Sequence, residues 1–247
     1  MEMSDLEFFK RYGYLSLGKV LTDEQVTQYT VQYDRDREAF GYLWSGYNHN
    51  QSINCDALIS WPEGDELIRH PAILSPIEAL MGTSVCFSEV CVRHMDPYDG
   101  EFRQGWHRDR PHDPSHPMRM PYIQSMLYLN DVDEGSHCFS ISPESYDDPI
   151  LETEAQLKRS PGVDLHGEAG SVILFNIAVL HTATVRHTDR ERKTVQTYYG
   201  PDEGDYLSND SCIPATLWRD HPDAATRQFY GKLNPRSETF ARAFGVN

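Results

Sequence analysis

The hydrophobic and polar positions along this chain follow two different periods, and the change falls near Thr83. Before it, apolar residues recur at the three- and four-residue spacing that is typical of an amphipathic helix. After it, short apolar runs alternate with clusters of Gly, Pro, Asn and Asp, which is the pattern of strands joined by turns. The pattern predicts a helix-rich N-terminal part over about residues 1–82 and a β-rich core over about residues 83–205.

Two helices are predicted in the N-terminal part. The first, within residues 21–40, begins after Thr22, because Gln25 three positions later completes a capping box. The second ends at Gly82, since glycine closes helices in the left-handed conformation. The connection between the helices, SGYNHNQSINCDA, is rich in Asn, Ser and Gly, and we interpret it as flexible.

The β-rich core is interpreted from six runs, which are SVCFSEVCVRHM, EFRQGWHRD, MPYIQSMLYLND, HCFSIS, SVILFNIAVLHTATV and TVQTYYG. Short strands separated by turns favour a β-sandwich or a jelly roll. The tail, about residues 206–247, returns to a helical pattern around DAATRQFYGKL. No linker composition interrupts the chain, so we expect residues 1–247 to form a single, mainly β domain with flanking N- and C-terminal helices.

The composition excludes two classes of partner. Hydrophobic residues make up 39% of the chain and charged residues 24%, which is ordinary for a globular protein. The net charge of −16 leaves no basic surplus to neutralise phosphates, so we expect neither a nucleic-acid nor a membrane partner. No apolar run has the length of a membrane span, and the N-terminus lacks the pattern of a signal peptide.

The five cysteines are odd in number and form no Cys-x-x-Cys pair. This usage indicates reduced thiols rather than a disulfide framework or a zinc site. Together with the N-terminal pattern, it predicts a cytoplasmic protein. We expect it to act on a small molecule as a monomer or a homodimer.

Histidine and carboxylate residues two positions apart are the first candidates for a metal site, because alternate residues of a strand point to one side. A non-haem Fe(II) oxygenase binds its metal with two histidines and one carboxylate and leaves the opposite positions open. The pattern His-x-Asp occurs at His94/Asp96, His107/Asp109, His187/Asp189 and His221/Asp223. The first two pairs are followed by His181, the last residue of the apolar run SVILFNIAVLH, and spacing alone leaves both of them open.

Arg192 follows His181 closely and begins the run RKTVQTYY. By alternation it shares a strand face with Thr194, Gln196 and Tyr198. An arginine inside a barrel needs a carboxylate, and without a protein acid a substrate carboxylate can bind it in bidentate fashion. The alternative is that Arg192 is exposed within the charged turn TDRERK.

The motifs, taken in order, resemble the phytanoyl-CoA dioxygenase family of Fe(II)/2-oxoglutarate oxygenases over nearly the full length. The segments that carry this resemblance are FFKRYGYLSLGKVLTDEQV, GWHRD, MLYLNDVDEGSHCFSISPESY, GEAGSVILFNIAVLH and TDRERK. The chain departs from the family at PESY, where Glu144 and Tyr146 occupy a position that is usually Pro-Gly-Ser-His.

The resemblance implies a double-stranded β-helix, or jelly roll, and an enzyme of the 2-oxoglutarate-dependent non-haem iron dioxygenase class. It implies that Fe(II) is bound by His107, Asp109 and His181. The co-substrates would be O2 and 2-oxoglutarate, whose far carboxylate would meet Arg192. The expected reaction is hydroxylation, or another oxidation, of a small-molecule metabolite with release of succinate and CO2.

Further candidates for cofactor contact are Gln124, Met126 and Thr184. Gln124 and Met126 lie on one face of a strand that leads from the ligands, and core packing is the alternative for both. The family often has a hydroxyl group two residues after the second histidine. This chain has Ala183 at that position, and the neighbouring Thr184 is the candidate.

The candidates for substrate contact are Arg93, Trp106 and Arg119. For Arg93 the alternative is a surface ion pair, and Trp106 is expected to pack beside the site. Arg119 is grouped with Arg103, Arg108 and Arg110 around the predicted ligands. This group predicts either a basic entrance for an anionic substrate or a rim that pairs with Asp113, Asp133 and Glu134.

Two other classes of function remain open. A non-catalytic β-sandwich that binds a ligand would use its histidines structurally and would hold no stoichiometric iron. A cupin-type metalloenzyme would have the same barrel with other ligands. That class commonly uses His-x-His, which does not occur in this sequence.

Overall fold

Two antiparallel sheets face each other in the computed structural model, which describes residues 3–203 and 206–245. Helices cover the outer face of the larger sheet. This arrangement is the jelly roll that the sequence predicts, with helices before and after it. The predicted boundary at residue 205 lies outside the described residues, and within them no helix has the length and apolar character of a membrane span.

The strands of the described residues are β1 (Tyr14–Lys19), β2 (Ser45–Tyr47), β3 (Gln51–Asn54), β4 (Val85–Met95), β5 (Ile123–Tyr128), β6 (Cys138–Ile141), β7 (Val163–Leu165), β8 (Ser171–Asn176), β9 (His181–Thr184) and β10 (Arg192–Pro201). The α-helices are α1 (Asp5–Tyr12), α2 (Asp23–Ala39), α3 (Ala57–Ser60), α4 (Gly64–Ile68), α5 (Pro71–Met81), α6 (Thr153–Arg159), α7 (Ala215–Trp218), α8 (Ala224–Phe229) and α9 (Pro235–Ala243).

The strand order of the larger sheet is β1-β8-β5-β10-β4-β3-β2, and that of the smaller sheet is β7-β6-β9. The run EFRQGWHRD was predicted as a strand, but it is an irregular extended segment. It pairs with β9 and the residues after it through isolated bridges, at Arg103 with Val185 and at His107 with His181. These bridges attach the segment to the edge of the smaller sheet.

Strands β5 and β8 are buried on both faces. Met126 and Phe175 point into the space between the two sheets, whereas Leu127 and Leu174 pack beneath the helices. Strands that are covered on both sides lose the alternation of apolar and polar residues. This explains why their sequences appear as continuous apolar runs.

The predicted helix starts and ends are mostly confirmed. Thr22 and Gln25 form a reciprocal capping box before α2, and Gly82 closes α5 in the left-handed conformation. The second helical stretch is nevertheless divided, because α4 ends at Ile68 and α5 begins at Pro71. Proline lacks the amide hydrogen that a continuous helix needs, and it is favoured at the first helical position.

We had predicted that the apolar run SVILFNIAVLH is a single strand, but the structure divides it into two strands. β8 ends at Asn176, and His181 begins β9 instead of ending β8. The Asn176 side chain accepts a hydrogen bond from the Ala178 amide at 2.9 Å, and its carbonyl accepts one from Val179 at 3.0 Å. Apart from Asn176 the turn consists of apolar residues, so hydrophobic periodicity carries no sign of it.

The segment SGYNHNQSINCDA was predicted to be flexible, and this prediction was wrong. It forms the hairpin β2–β3, in which β3 pairs with β4 at the edge of the larger sheet. His49 and Asn50 adopt positive φ angles of 61° and 56° in the hairpin loop. Asparagine tolerates this conformation better than most residues, so the same composition that suggests a loop also permits a tight turn.

We expect Asn176→Ala to lower the free energy of unfolding by about 3 kcal/mol, because buried partners would lose their hydrogen bonds. The fully buried Asn176 amide donates to the Met118 carbonyl at 2.7 Å and to the Tyr146 hydroxyl at 3.1 Å. Urea unfolding measures the change, and Asn48→Ala, an exposed asparagine, is the matched control. Equal stability of the two variants would contradict this account of the turn.

Candidate active site

A cavity of about 220 Å³ opens between the two sheets. Its wall is formed by the β2–β3 hairpin, β4, the segment around GWHRD, β5, β6, β9 and β10. His107, Asp109, His181 and Arg192 all line it. The residues that the sequence placed in separate motifs therefore share one cavity.

His107, Asp109 and His181 each direct one potential ligand atom toward a common point, and these atoms lie within 4.8 Å of one another. The distance from Asp109 Oδ1 to Nε2 of each histidine is 3.4 Å. The two imidazole rings have their centroids 4.5 Å apart. Two imidazole nitrogens and one carboxylate oxygen on one side of a point form the donor set of a non-haem Fe(II) site.

Both imidazoles are oriented by backbone carbonyl groups. Nδ1 of His107 lies 2.8 Å from the Gly105 carbonyl oxygen, and Nδ1 of His181 lies 2.8 Å from that of Val179. A carbonyl only accepts hydrogen bonds, so each Nδ1 carries a proton and donates it. The lone pair of the neutral ring is then on Nε2, which is the nitrogen that faces Asp109.

Asp109 is held in place on both sides of its carboxylate. The Tyr198 hydroxyl donates to Oδ2 at 3.0 Å, which leaves Oδ1 toward the two histidines. Burial alone would raise the pKa of Asp109, but in the absence of a metal protonated His181 and His107 lower it well below its usual value through charge and Nε2–H hydrogen bonds. A bound metal ion would take the place of these Nε2 protons. The site therefore favours an ionised carboxylate beside two imidazoles.

His94 and Asp96, the other pair that spacing left open, lie elsewhere. His94 points to the helix side of β4, where its ring nitrogens are 3.2 Å from the Tyr33 hydroxyl and 3.0 Å from Arg37 Nη1. Alternate residues of β4 face the cavity, so this histidine and His181 are on different sides of the sheet. The structure brings only the His107 pair together with His181.

A second group of possible ligands, Cys138, Asp164 and His166, also has its atoms within 4.8 Å. Arg186 forms an ion pair with Asp164 at 2.5 Å and donates to the Cys138 sulfur at 3.5 Å. A guanidinium group in this position repels a metal ion. Of these two groups, the first has the better donor set.

Arg192 is 1% exposed and lines the cavity, so the interpretation of this residue as part of an exposed turn is wrong. Its Nε and Nη1 atoms are buried without a hydrogen bond partner among the described residues. A buried guanidinium without an acceptor is costly, and a ligand carboxylate would remove that cost. Nearby Arg186 and Arg190 already form ion pairs, with Asp164 and Asp133.

Two of the three other candidates for cofactor contact line the cavity. Gln124 and Met126 are both on its wall, and Gln124 donates to Gln196 at 3.0 Å. Thr184 is fully buried outside this lining, where it accepts a hydrogen bond from Gln104 at 2.9 Å. Ala183 lies at the wall instead, because it shares a strand face with His181.

Among the candidates for substrate contact, Arg93 lines the cavity, whereas Trp106 and Arg119 do not. Trp106 is adjacent to His107 in an extended segment, so its indole points the other way and donates to Gln104 at 3.2 Å. The guanidinium group of Arg119 donates to backbone carbonyls of Tyr146 and Asp148. Both side chains are therefore occupied away from the cavity.

The arginines near the ligands do not form the basic entrance that we had considered, nor do they pair with the acids that we had named. Arg108 pairs with Glu144, Arg110 donates to the Leu207 carbonyl, and the guanidinium of Arg103 lies 4.9 Å from the Tyr98 ring. Glu144 also accepts a hydrogen bond from the Leu180 amide at 3.0 Å. The acid in PESY thus supports the turn that precedes His181.

Sequence reasoning missed the part of the wall that comes from the β2–β3 hairpin, namely Tyr47, Asn48, His49 and Gln51. The His49 ring lies against Gly105, where a Cβ atom would be 2.0 Å from His49 Cε1. Only glycine allows this close approach. The available signal in the sequence was a histidine followed by asparagine, a residue that tolerates the left-handed conformation of tight turns. We had instead interpreted the segment as flexible.

Comparisons with known proteins identify relatives of this chain. The model of the phytanoyl-CoA dioxygenase family matches residues 9–194. The peroxisomal phytanoyl-CoA dioxygenase of Rattus norvegicus is 16% identical over 262 residues, which cover 93% of this chain and 77% of that protein.

Solved structures share the fold at low sequence identity. The 2-oxoglutarate-dependent carbocyclase SnoK of nogalamycin biosynthesis has a TM-score of 0.70 at 18% identity, covering 83% of this chain and 86% of that one. EctD from S. alaskensis with bound Fe has a TM-score of 0.68 at 16% identity, covering 87% and 82%. HygX from Streptomyces hygroscopicus with nickel, 2-oxoglutarate and hygromycin B has a TM-score of 0.60 at 19% identity, covering 81% and 88%.

We expect His107→Ala, Asp109→Ala and His181→Ala each to lose stoichiometric Fe(II) binding, because the protein supplies three ligands and each variant removes one of them. Iron content after anaerobic loading and desalting measures the effect. The controls are Asp96→Ala and His94→Ala, which alter a similar His-x-Asp pair on the other side of the sheet. Loss of iron in the controls together with its retention in His107→Ala would show that the wrong pair was chosen.

Proposed function

Because the chain belongs to the phytanoyl-CoA dioxygenase family, and with it to the 2-oxoglutarate-dependent non-haem iron oxygenases, we propose that it hydroxylates or otherwise oxidises a small-molecule metabolite with release of succinate and CO2. The observation that carries this proposal is the presence, in one cavity, of a two-histidine, one-carboxylate donor set and a buried arginine whose Nε and Nη1 have no hydrogen bond partner among the described residues. A non-catalytic ligand-binding protein would have no need for both features.

In this proposal Fe(II) is held by Nε2 of His107, Nε2 of His181 and Oδ1 of Asp109. The donor set fits the metal, because each Nδ1 is anchored on a carbonyl and Tyr198 occupies the second carboxylate oxygen. Partners that orient ligands in this way fix the tautomer of each histidine and the rotamer of the acid. Three ligands leave further coordination positions for co-substrates.

Arg192 is the proposed partner of the far carboxylate of 2-oxoglutarate. The guanidinium group offers a planar pair of donors, and its buried Nε and Nη1 need acceptors. Gln124 and Met126 line the same cavity and are proposed to contact the co-substrate from β5. Thr184 is outside the lining, so we assign it no contact.

When bound together, iron, 2-oxoglutarate and O2 supply the oxidising chemistry, in which 2-oxoglutarate is converted to succinate and CO2 and the substrate is oxidised. The chain's own residues hold these groups and exclude water. Met126 and Phe139 give the cavity part of its apolar wall. Hydroxylation is the proposed default outcome, with desaturation or ring closure as variations.

We further propose that residues 1–247 act as one domain, as a monomer or homodimer in the cytoplasm. One hydrophobic cluster includes residues from α1, the larger sheet and α8, which supports a single folding unit. All five cysteines are free thiols, which agrees with a reducing compartment.

We expect Arg192→Ala to raise the 2-oxoglutarate concentration required for binding by a factor that corresponds to a loss on the order of 2–5 kcal/mol. Iron affinity is expected to change little, because Arg192 is not a proposed ligand. The matched control is Arg190→Ala, which removes an ion pair outside the cavity. Normal 2-oxoglutarate affinity in Arg192→Ala would assign the carboxylate contact to another residue.

The proposed reaction is tested by succinate formation in the presence of Fe(II), 2-oxoglutarate, O2 and fractions of a metabolite extract. We expect succinate to require each of the three components and to increase with the fraction that holds the substrate. Mass spectrometry under ¹⁸O₂ then detects oxygen in a hydroxylated product. If the iron-loaded protein forms no more succinate than His181→Ala with any fraction, the proposal is wrong.

A further inference from the structure

A second cavity of about 190 Å³ adjoins the first. The two share Tyr47, Arg93, Asp109 and Tyr198 as a common wall. The second cavity therefore begins beside the carboxylate of the proposed iron site. A substrate in it would be next to the metal without displacing the group that Arg192 binds.

Strand β4 gives this cavity an acidic end. Glu89, Cys91 and Arg93 alternate along β4 and all three line the cavity. In the neighbouring strand Tyr198 pairs with Glu89. Over four residues of an extended strand, the Cα atoms of Glu89 and Arg93 are about 13 Å apart. The negative charge and the positive charge thus lie at different ends of one wall.

Glu89 is buried in this wall and forms no ion pair among the described residues. It is 8% exposed, and the hydrogen bond that the described residues make to its carboxylate comes from the Ser208 hydroxyl. Burial raises the pKa of Glu89 to about 7. Asp210 also lines the cavity, whereas the guanidinium group of Arg110 is engaged by the Leu207 carbonyl. A buried carboxylate in this situation is stabilised by a cationic ligand group.

At the other end of the cavity wall, the positive charge of Arg93 repels a cation. Its guanidinium group lies 5.2 Å from the centre of the Tyr47 ring, and its buried Nε has no hydrogen bond partner among the described residues. A positively charged group is therefore repelled from the Arg93 end and attracted to the Glu89 end. This separation of charge would orient a substrate along the cavity.

We propose that the second cavity is the substrate site, and that the substrate carries a cationic amino or guanidino group that pairs with Glu89. The inference rests on the proposed function, which supplies the reaction at the shared wall. A cationic substrate is the opposite of the anionic substrate that we had considered from the arginines around the predicted ligands. The net charge of −16 would also favour the approach of a cation.

Two isosteric probes test the charge preference, n-butylguanidinium and n-butylurea, which differ in charge but little in shape. Each is titrated anaerobically at pH 8 into protein loaded with Fe(II) and 2-oxoglutarate, and calorimetry measures its affinity. At this pH Glu89 is mostly ionised. We expect the guanidinium probe to bind at least tenfold more tightly than the urea.

Glu89→Gln should abolish the preference, because it removes the charge and keeps a side chain that can accept the Ser208 hydrogen bond. We expect n-butylurea to bind this variant as it binds the unchanged protein. Glu203→Gln, an exposed acid that lines another cavity, is the control and should retain the full preference. Thermal unfolding of both variants checks that they are folded.

The inference is overturned if the unchanged protein does not prefer the guanidinium probe, or if Glu89→Gln keeps the preference. Iron and 2-oxoglutarate affinities are measured on the same preparations, and we expect Glu89→Gln to leave both unchanged. Failure of the unchanged protein to bind iron or 2-oxoglutarate would instead reject the proposed function. The two failures are therefore distinguishable.

Discussion

The reciprocal backbone hydrogen bonds between His107 and His181 are the contact on which the site depends. Each residue's amide donates to the carbonyl of the other at 2.9 Å, so an irregular segment is attached to the edge of β9. The Asp109 amide adds a third bond, to the Ile177 carbonyl at 3.0 Å. Backbone bonds of this kind fix the positions of three side chains from distant parts of the sequence without any metal.

Two buried charges of opposite sign lie in the two adjoining cavities. Among the described residues, Nε and Nη1 of Arg192 have no acceptor in the first cavity, and Glu89 forms no ion pair in the second. Each is unfavourable for folding and favourable for binding a ligand of complementary charge. In our account the co-substrate and the substrate relieve these two costs on opposite sides of Asp109.

The fold class and the principal side chains of the site could be predicted from sequence because they depend on local patterns. Alternation placed Arg192 and Gln196 on one strand face, and both line the cavity. The turn at Asn176 could not be predicted, because its Ile, Ala and Val residues resemble a strand. The hairpin at His49 has the composition of a loop, and only pairing with β4 gives it order. Arg186 and Arg190 form ion pairs with acids that are distant in the sequence, whereas Arg192 faces the cavity. No local pattern in the sequence contains this information.

The central claim is that one cavity holds iron on His107, Asp109 and His181 and 2-oxoglutarate on Arg192. A crystal structure of the protein grown anaerobically with Fe(II) and 2-oxoglutarate tests it most directly. We expect the metal to be coordinated by both Nε2 atoms and a carboxylate oxygen of Asp109, with the far carboxylate of 2-oxoglutarate paired with the Arg192 guanidinium. Iron bound at Cys138, Asp164 and His166, or 2-oxoglutarate bound away from Arg192, would contradict the claim.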